Sequence, residues 1–197
     1  MYKTDQLKRM NEKNNGYLFT SEVVNAGISK TYLLKYVKSN NYERVARGIY
    51  VSEDTWPDEL FILQKSNPII IFSRETALYL LGLTDKEYSA IHVSVPTTFN
   101  TYRLKHKGVK IHQYQRELYE LGIMEIQTNY NNTIRIYDKE RCICDIIAAR
   151  KDIEVHTFQT AMKEYMADNS KRLGILINYA DRLSIRDEVM KYVEVML

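Results

Sequence analysis

"NYERVARGIYV", residues 41–51, is the stretch whose reading decides the fold of this chain. Two strand-like runs, 42–45 and 49–51, flank "ARG", where Gly48 can supply the positive φ that a short hairpin turn needs. Arg44 and Arg47 sit beside and within that turn, and a bare turn requires neither. Just upstream, "TSEVVNAGISKTYLLKYVKSN" (20–40) splits at Gly27. Before the glycine, Thr20 suits the cap of a short helix carrying Val23, Val24 and Ala26, and after it Ser29 suits the cap of a second helix. At about 100° per residue, Leu33, Leu34 and Val37 fall on one face of that second helix, and Thr31, Tyr32, Lys35 and Ser39 on the other. With "KTDQLKRMNEKN" (3–14) as a first helix, the order is helix, helix, turn, helix, hairpin. That is the order of a winged helix-turn-helix, with the hairpin as its wing.

The charge pattern agrees. The chain of 197 residues carries a net +3, but residues 1–50 hold nine Lys or Arg against four acids, a net +5, so the remainder is −2. A basic head on a near-neutral body points to a polyanion partner. Thr31, Tyr32 and Lys35, with Lys30 beside them, suit base edges in a major groove, and Lys38, Arg44 and Arg47 suit phosphates. The competing readings are a winged helix that docks protein and, for Lys35 and Lys38, a merely solvated helix face. A composition that is 45% hydrophobic and 27% charged belongs to a chain able to bury a core. No apolar run reaches membrane-spanning length and the start lacks the apolar core of a signal peptide, so the expectation is a cytoplasmic protein.

A boundary is placed within "SEDTWPDELFILQKSNP" (52–68), giving a DNA-binding domain at 1–56 and a second domain at 57–197. In the second, "IIIF" (69–72), "AIHVSVP" (90–96), "GVKIHQY" (108–114) and "TIRIYD" (133–138) read as strands, with "GIMEIQT" (122–128) a weaker one. "AIHVSVP" alternates, setting Val93 and Val95 against His92 and Ser94, the pattern of a half-buried strand. "SRETALYLLGL" (73–83) reads as a helix, and the helical stretches after Asp138, which suits a cap, close the chain, the last opened by a capping pattern at Ser184. The fold class expected is therefore α+β: a winged helix-turn-helix, then a small sheet with a helical end. Cys142 and Cys144 read as reduced packing residues, and Arg141 with Asp145, one turn apart, as an ion pair.

No catalytic residue, metal site or cofactor motif emerges: the four histidines lack metal-pair spacing, and there is no phosphate loop or nucleophile elbow. His92 and His112 can meet across a sheet as a polar face or as a ligand pair. "TYRLKHKGVKIHQYQR" (101–116) mixes Arg103, Lys105, Lys107, Lys110 and Arg116 with Tyr102, His106 and Tyr114, a pattern that suits single-stranded nucleic acid or simply a solvated strand and loop.

In order, "AGISKTYLLKYVKSN", "NYERVARGIY", "SRETALYLLGLTD", "IHVSVP", "KGVKIHQ" and "IRIYDKERCICDIIAARKDI" resemble the AbiEi family of bacterial abortive-infection antitoxins over nearly the whole chain. The resemblance implies a type IV antitoxin whose winged head represses its own operon by binding inverted repeats in the promoter. It also implies a carboxy-terminal antitoxin domain that opposes a nucleotidyltransferase-like toxin without a stable complex. Carried over, the DNA role falls on Thr31, Tyr32, Lys35, Arg44 and Arg47, joined by Lys30 and Lys38 from the helix pattern; the resemblance leaves open which residues neutralise the toxin, and Arg103, Lys105, Lys107, Lys110 and Arg141 are the candidate antitoxin surface. A winged regulator with a ligand-sensing or nucleic-acid-processing second domain is the alternative.

Overall fold

The computed structural model describes residues 2–105 and 107–196. They form two compact units: the chain up to Pro68 together with Ile126–Ile134, and Ile69–Glu125 together with the chain from Arg135 onward.

The first unit starts with α1 (Lys3–Lys13), which ends where Asn15 and Gly16 take positive φ. Gly16 is obligatory there, since a Cβ would lie 2.0 Å from Thr55 Oγ1. A three-residue strand follows, β1 (Tyr17–Phe19), then α2 (Thr20–Asn25), a turn at Gly27, and α3 (Lys30–Ser39). Ser29 caps α3 by accepting from the Tyr32 amide at 3.3 Å. The hairpin forms from β2 (Glu43–Ala46) and β3 (Ile49–Val51), turning at Gly48 with φ +76°. The sheet order is β1-β3-β2, with β1 antiparallel to β3 in the register Tyr17↔Val51 and Phe19↔Ile49. Leu7, Leu18, Val23, Ile28, Leu33, Val37 and Tyr50 fill the core between helices and sheet. The helix-turn-helix and its hairpin are thus those expected from the sequence, and β1 adds a third strand.

Two local expectations are corrected. Thr20 is the first residue of α2 and makes no cap, because Phe19 occupies the capping position as the end of β1. Leu34 does not pack inward: it is 45% exposed, whereas Leu33 and Val37 are the buried residues of α3 and Tyr32 and Tyr36 pack partly against the same core.

The unit is completed by α4 (Glu59–Ser66). Asp58, buried, caps α4 by accepting from the Phe61 amide through Oδ1 and accepts from Thr128 Oγ1 and Asn132 Nδ2 through Oδ2. The Asp58 amide donates to the Tyr17 hydroxyl at 2.8 Å. Tyr17, Phe19 and Phe61 form an aromatic cluster beneath α4, with Tyr17 and Phe61 edge to face at 5.1 Å.

The second unit contains β4 (Ile71–Phe72), α5 (Arg74–Leu80), β5 (His92–Pro96), α6 (Tyr102–Lys105), β6 (Lys110–Tyr114), α7 (Arg116–Tyr119), β7 (Ile123–Gln127) and β8 (Thr133–Tyr137). The strands pair into a five-stranded sheet of order β6-β5-β4-β8-β7, and β7 and β8 continue into the residues 126–134 that group with the first unit. β5 runs antiparallel to β4 and parallel to β6, and β8 is parallel to β4. Four helices follow: α8 (Lys139–Ala148), α9 (Val155–Ala167), α10 (Leu173–Arg182) and α11 (Arg186–Met196). The capping role expected of Ser184 is not realised, since Ser184 takes φ +58° beyond α10 and α11 begins two residues later.

The centre of this unit is α8, buried on nearly every side rather than along one stripe. Asp138 caps it, accepting from the Arg141 amide at 2.9 Å. Arg141 is fully buried, its Nε 2.9 Å from Asp145 Oδ1 and its Nη1 donating to the Leu118 and Leu121 carbonyls. The guanidinium is held between the rings of Tyr114 and Tyr137, 4.6 and 4.5 Å from their centroids. Burial alone would lower its pKa, and the Asp145 carboxylate outweighs that and raises it. Arg141 therefore cannot belong to an exposed surface, and its expected place there is corrected: the charge is an internal tie. Gly122 permits this packing, because a Cβ would come 2.8 Å from that of Arg141. Cys142 and Cys144 are buried and unlinked, and burial pushes the first thiol well up and the second up to about 12.

Replacing Arg141 by Leu strands a buried carboxylate, and urea denaturation is expected to show a loss of about 3–5 kcal/mol of unfolding free energy. The double variant Arg141→Leu with Asp145→Leu should recover much of that loss, since it removes both charges.

Candidate nucleic-acid interface

Helix α3 presents two different faces. Leu33 and Val37 are sealed in the core, while Lys30, Thr31, Leu34, Lys35 and Lys38 are exposed and fall within an arc of about 140° at 100° per residue. Tyr32 lies at the margin of that arc and turns toward α1: its hydroxyl is 2.9 Å from Thr4 Oγ1, and Lys3 Nζ sits 5.6 Å above its ring. The hydroxyl is thus already engaged within the protein.

The wing is fixed relative to the helices by the backbone. The Thr20 amide donates to the Gly48 carbonyl at 2.8 Å, which ties the hairpin turn to the start of α2. Gly48 has to be small as well as left-handed, since a Cβ would meet Thr20 Oγ1 at 3.3 Å. Arg44 and Arg47 are both exposed, and Arg44 Nε donates to the Ala46 carbonyl at 3.4 Å. Between wing and α3 runs an open groove of ≈ 480 Å³ whose walls include Lys30, Leu34, Arg44 and Arg47 and no carboxylate. Lys65, from α4, also lines the groove. Nothing in the sequence singles that residue out, because it falls 18 positions beyond Arg47 in an otherwise amphipathic helix.

Among the described residues, none of Lys30, Lys35, Lys38, Arg44 and Arg47 belongs to an ion pair. Several cations elsewhere in the chain are committed: Lys139 to Asp168, Arg141 to Asp145, Arg172 to Asp138 and Glu140. A set of uncompensated charges on one surface, built from helix side chains and a hairpin tip, can meet phosphates while short polar groups reach base edges.

The basic tract of the second unit is also exposed. Arg103 and Lys105 lie on α6, Lys107 follows, and Lys110 opens β6, the edge strand of its sheet. Lysine on an edge strand discourages pairing with another chain, which gives this tract a structural role independent of any ligand. Arg116 pairs with Glu120 at 2.9 Å, and His106 lies outside the described residues.

His92 and His112 do meet. His92 Nδ1 is 3.1 Å from His112 Nε2 and 2.9 Å from Glu75 Oε2, and the two rings stack with centroids 5.2 Å apart. Burial, reinforced by the charge of Arg74, pulls His112 down to about 3, so it is neutral at physiological pH. Burial alone would raise the Glu75 carboxyl, and the hydrogen bond and charge of His92 outweigh it and hold that carboxyl below the usual range. Ser94 donates to Ser73 Oγ at 2.9 Å, not to either imidazole, and among the described residues no group of three or more His, Cys, Asp or Glu is arranged to hold a metal ion. The expectation of a half-buried β5 is corrected here: His92 and Ser94 are as buried as Val93 and Val95, because α5 covers the polar face and the Thr76 hydroxyl accepts from the His92 amide.

Comparison with known proteins follows the same division. Residues 5–52 match a family model described as "Transcriptional regulator, AbiEi antitoxin", in agreement with the resemblance seen in the sequence. That span covers α1 through the wing. No curated protein matches the chain. The crystal structure of the RV2827C protein from Mycobacterium tuberculosis is similar in fold, with TM-score 0.57 at 9% identity, covering 84% of this chain and 66% of that one. Among the described residues, no helix is long and apolar enough to cross a membrane.

The histidine pair carries a pH signature. His112 has a folded pKa depressed from 6.5 to about 3, so between those values the unfolded chain binds the extra proton and stability rises with pH. Stability is therefore expected to fall as pH is lowered from 6.5 toward 4.5, above the range where Glu75 protonates, and urea melts of His112→Gln should be flatter across that window. Arg74, Lys110 and Glu75 are the charges that face this pair.

Proposed function

We propose that the chain is a DNA-binding transcriptional repressor of its own operon and the antitoxin of a toxin–antitoxin pair. The observation that carries the DNA role is the surface shared by α3 and the wing: Lys30, Lys35, Lys38, Arg44 and Arg47 are exposed, uncompensated and free of a neighbouring carboxylate in the groove between them. In this reading α3 enters the major groove, with Thr31 and Lys35 toward base edges and Lys30 and Lys38 toward the backbone. The wing arginines clamp a flanking phosphate or the adjacent minor groove. Tyr32 contributes from the margin of the helix, its ring braced against α1. The matched family description, a transcriptional regulator and antitoxin, supports the same role.

One head reads one half-site, so two copies are needed on an inverted repeat whose halves lie about 34 Å apart along the duplex. The antitoxin role is assigned to the second unit, where Arg103, Lys105, Lys107 and Lys110 form the exposed basic tract, acting without bond-making chemistry. Its counterpart is a nucleotidyltransferase-like toxin that forms no stable complex with it, and both act in the cytoplasm as a defence against phage.

Gel shifts on the region upstream of the gene should show salt-sensitive, cooperative binding, and absence of any shift contradicts the proposal. Arg47→Ala neutralises one phosphate fewer and should flatten the log–log salt dependence by about 0.9. Expression of the neighbouring toxin gene should arrest growth, with rescue by this chain and failure of rescue when Arg103, Lys105, Lys107 and Lys110 are all changed to Glu.

A further inference from the structure

The groove between wing and α3 has a third wall outside both the helix-turn-helix and the span matched by the family model. Lys65, near the end of α4, lines it opposite no acid, and its Nζ sits over two aromatic rings, 5.0 Å from the centroid of Phe19 and 5.3 Å from that of Phe61. Those rings belong to the end of β1 and to α4, so the ammonium is held by elements that the core fixes. Cation–π contact restrains a lysine head without neutralising it.

We infer that Lys65 seats one further backbone phosphate of the duplex, next to those met by Lys30, Arg44 and Arg47 along the same groove, and so extends the protein's footprint beyond the helix and wing. The inference rests on the duplex-binding reading above. The exposed Lys65 ammonium supplies the charge, held by the two rings and opposed by no carboxylate of the groove. A backbone phosphate is favoured over a free anion because Lys30 and the two arginines belong to the elements that would already lie against DNA. An open groove beside them accepts a continuous strand.

Salt titrations of binding to the upstream duplex test this, with wild type, Lys65→Met, Lys65→Glu and Lys65→Arg compared. Methionine keeps an apolar stem over the two rings and an unchanged thermal melt, yet should lower the salt slope by about 1 and weaken binding equally on any duplex sequence. Glutamate should weaken it further, and arginine should restore the wild-type slope. Wild-type binding with an unchanged slope in Lys65→Met overturns the phosphate seat while leaving the duplex reading intact. Failure of the wild type to bind at all overturns both. Calorimetric binding of inorganic phosphate that Lys65→Met abolishes, without any change in the DNA slope, reassigns the groove to a free anion and overturns the inference.

Discussion

The pairing of β1 with β3 is the constraint from which the proposed interface follows. Three buried residues, Tyr17, Leu18 and Phe19, link α1 to α2 and at the same time hydrogen-bond to the inner strand of the hairpin. Without that pairing the wing would be a two-stranded ribbon, and such ribbons are marginal in water. With it, the turn at Gly48 is brought against the start of α2, where the Thr20 amide reaches its carbonyl. The positions of Arg44 and Arg47 relative to Lys30 are consequences of this geometry.

The two halves of the chain treat charge differently. In the second unit, two arginines are tied to acids while the basic tract at 103–110 stays exposed: Arg141 is enclosed by carbonyls, a carboxylate and two tyrosine rings, and Arg172 bridges two acids at the start of α8. In the first unit, the cations of α3 and the wing stay exposed and outside any ion pair among the described residues, which leaves a concentrated positive field. Surface charge that stabilises a fold is normally interspersed with its opposite. An uninterrupted cationic wall is better explained by a polyanion than by stability.

The histidine pair illustrates how a polar cluster can resemble chemistry and serve packing. His92 and His112 meet across parallel strands with Glu75 beside them, a donor set that invites a catalytic reading. The two rings stack on each other beside Glu75, the nearby serines bond each other, and a helix covers the face. Burying a polar strand face favours side chains that partner one another, as the two histidines and the two serines do.

Local signals were legible in the sequence: the Ser29 and Asp138 caps, the glycine turns, the Arg141–Asp145 spacing, the concentration of charge in the first 50 residues and the element order of the winged head. Each depends on residues within a few positions of one another, where spacing alone sets geometry. Only the tertiary structure decided that "YLF" is a strand, that Leu34 is exposed, that Arg141 is interior and that Lys65 joins the groove. Those outcomes depend on partners distant along the chain: a strand across the wing, a core already filled by Leu33 and Val37, rings that close over a guanidinium. Periodicity can say which face of an element is apolar. Which neighbour covers that face is settled only when the whole chain competes for the same buried volume.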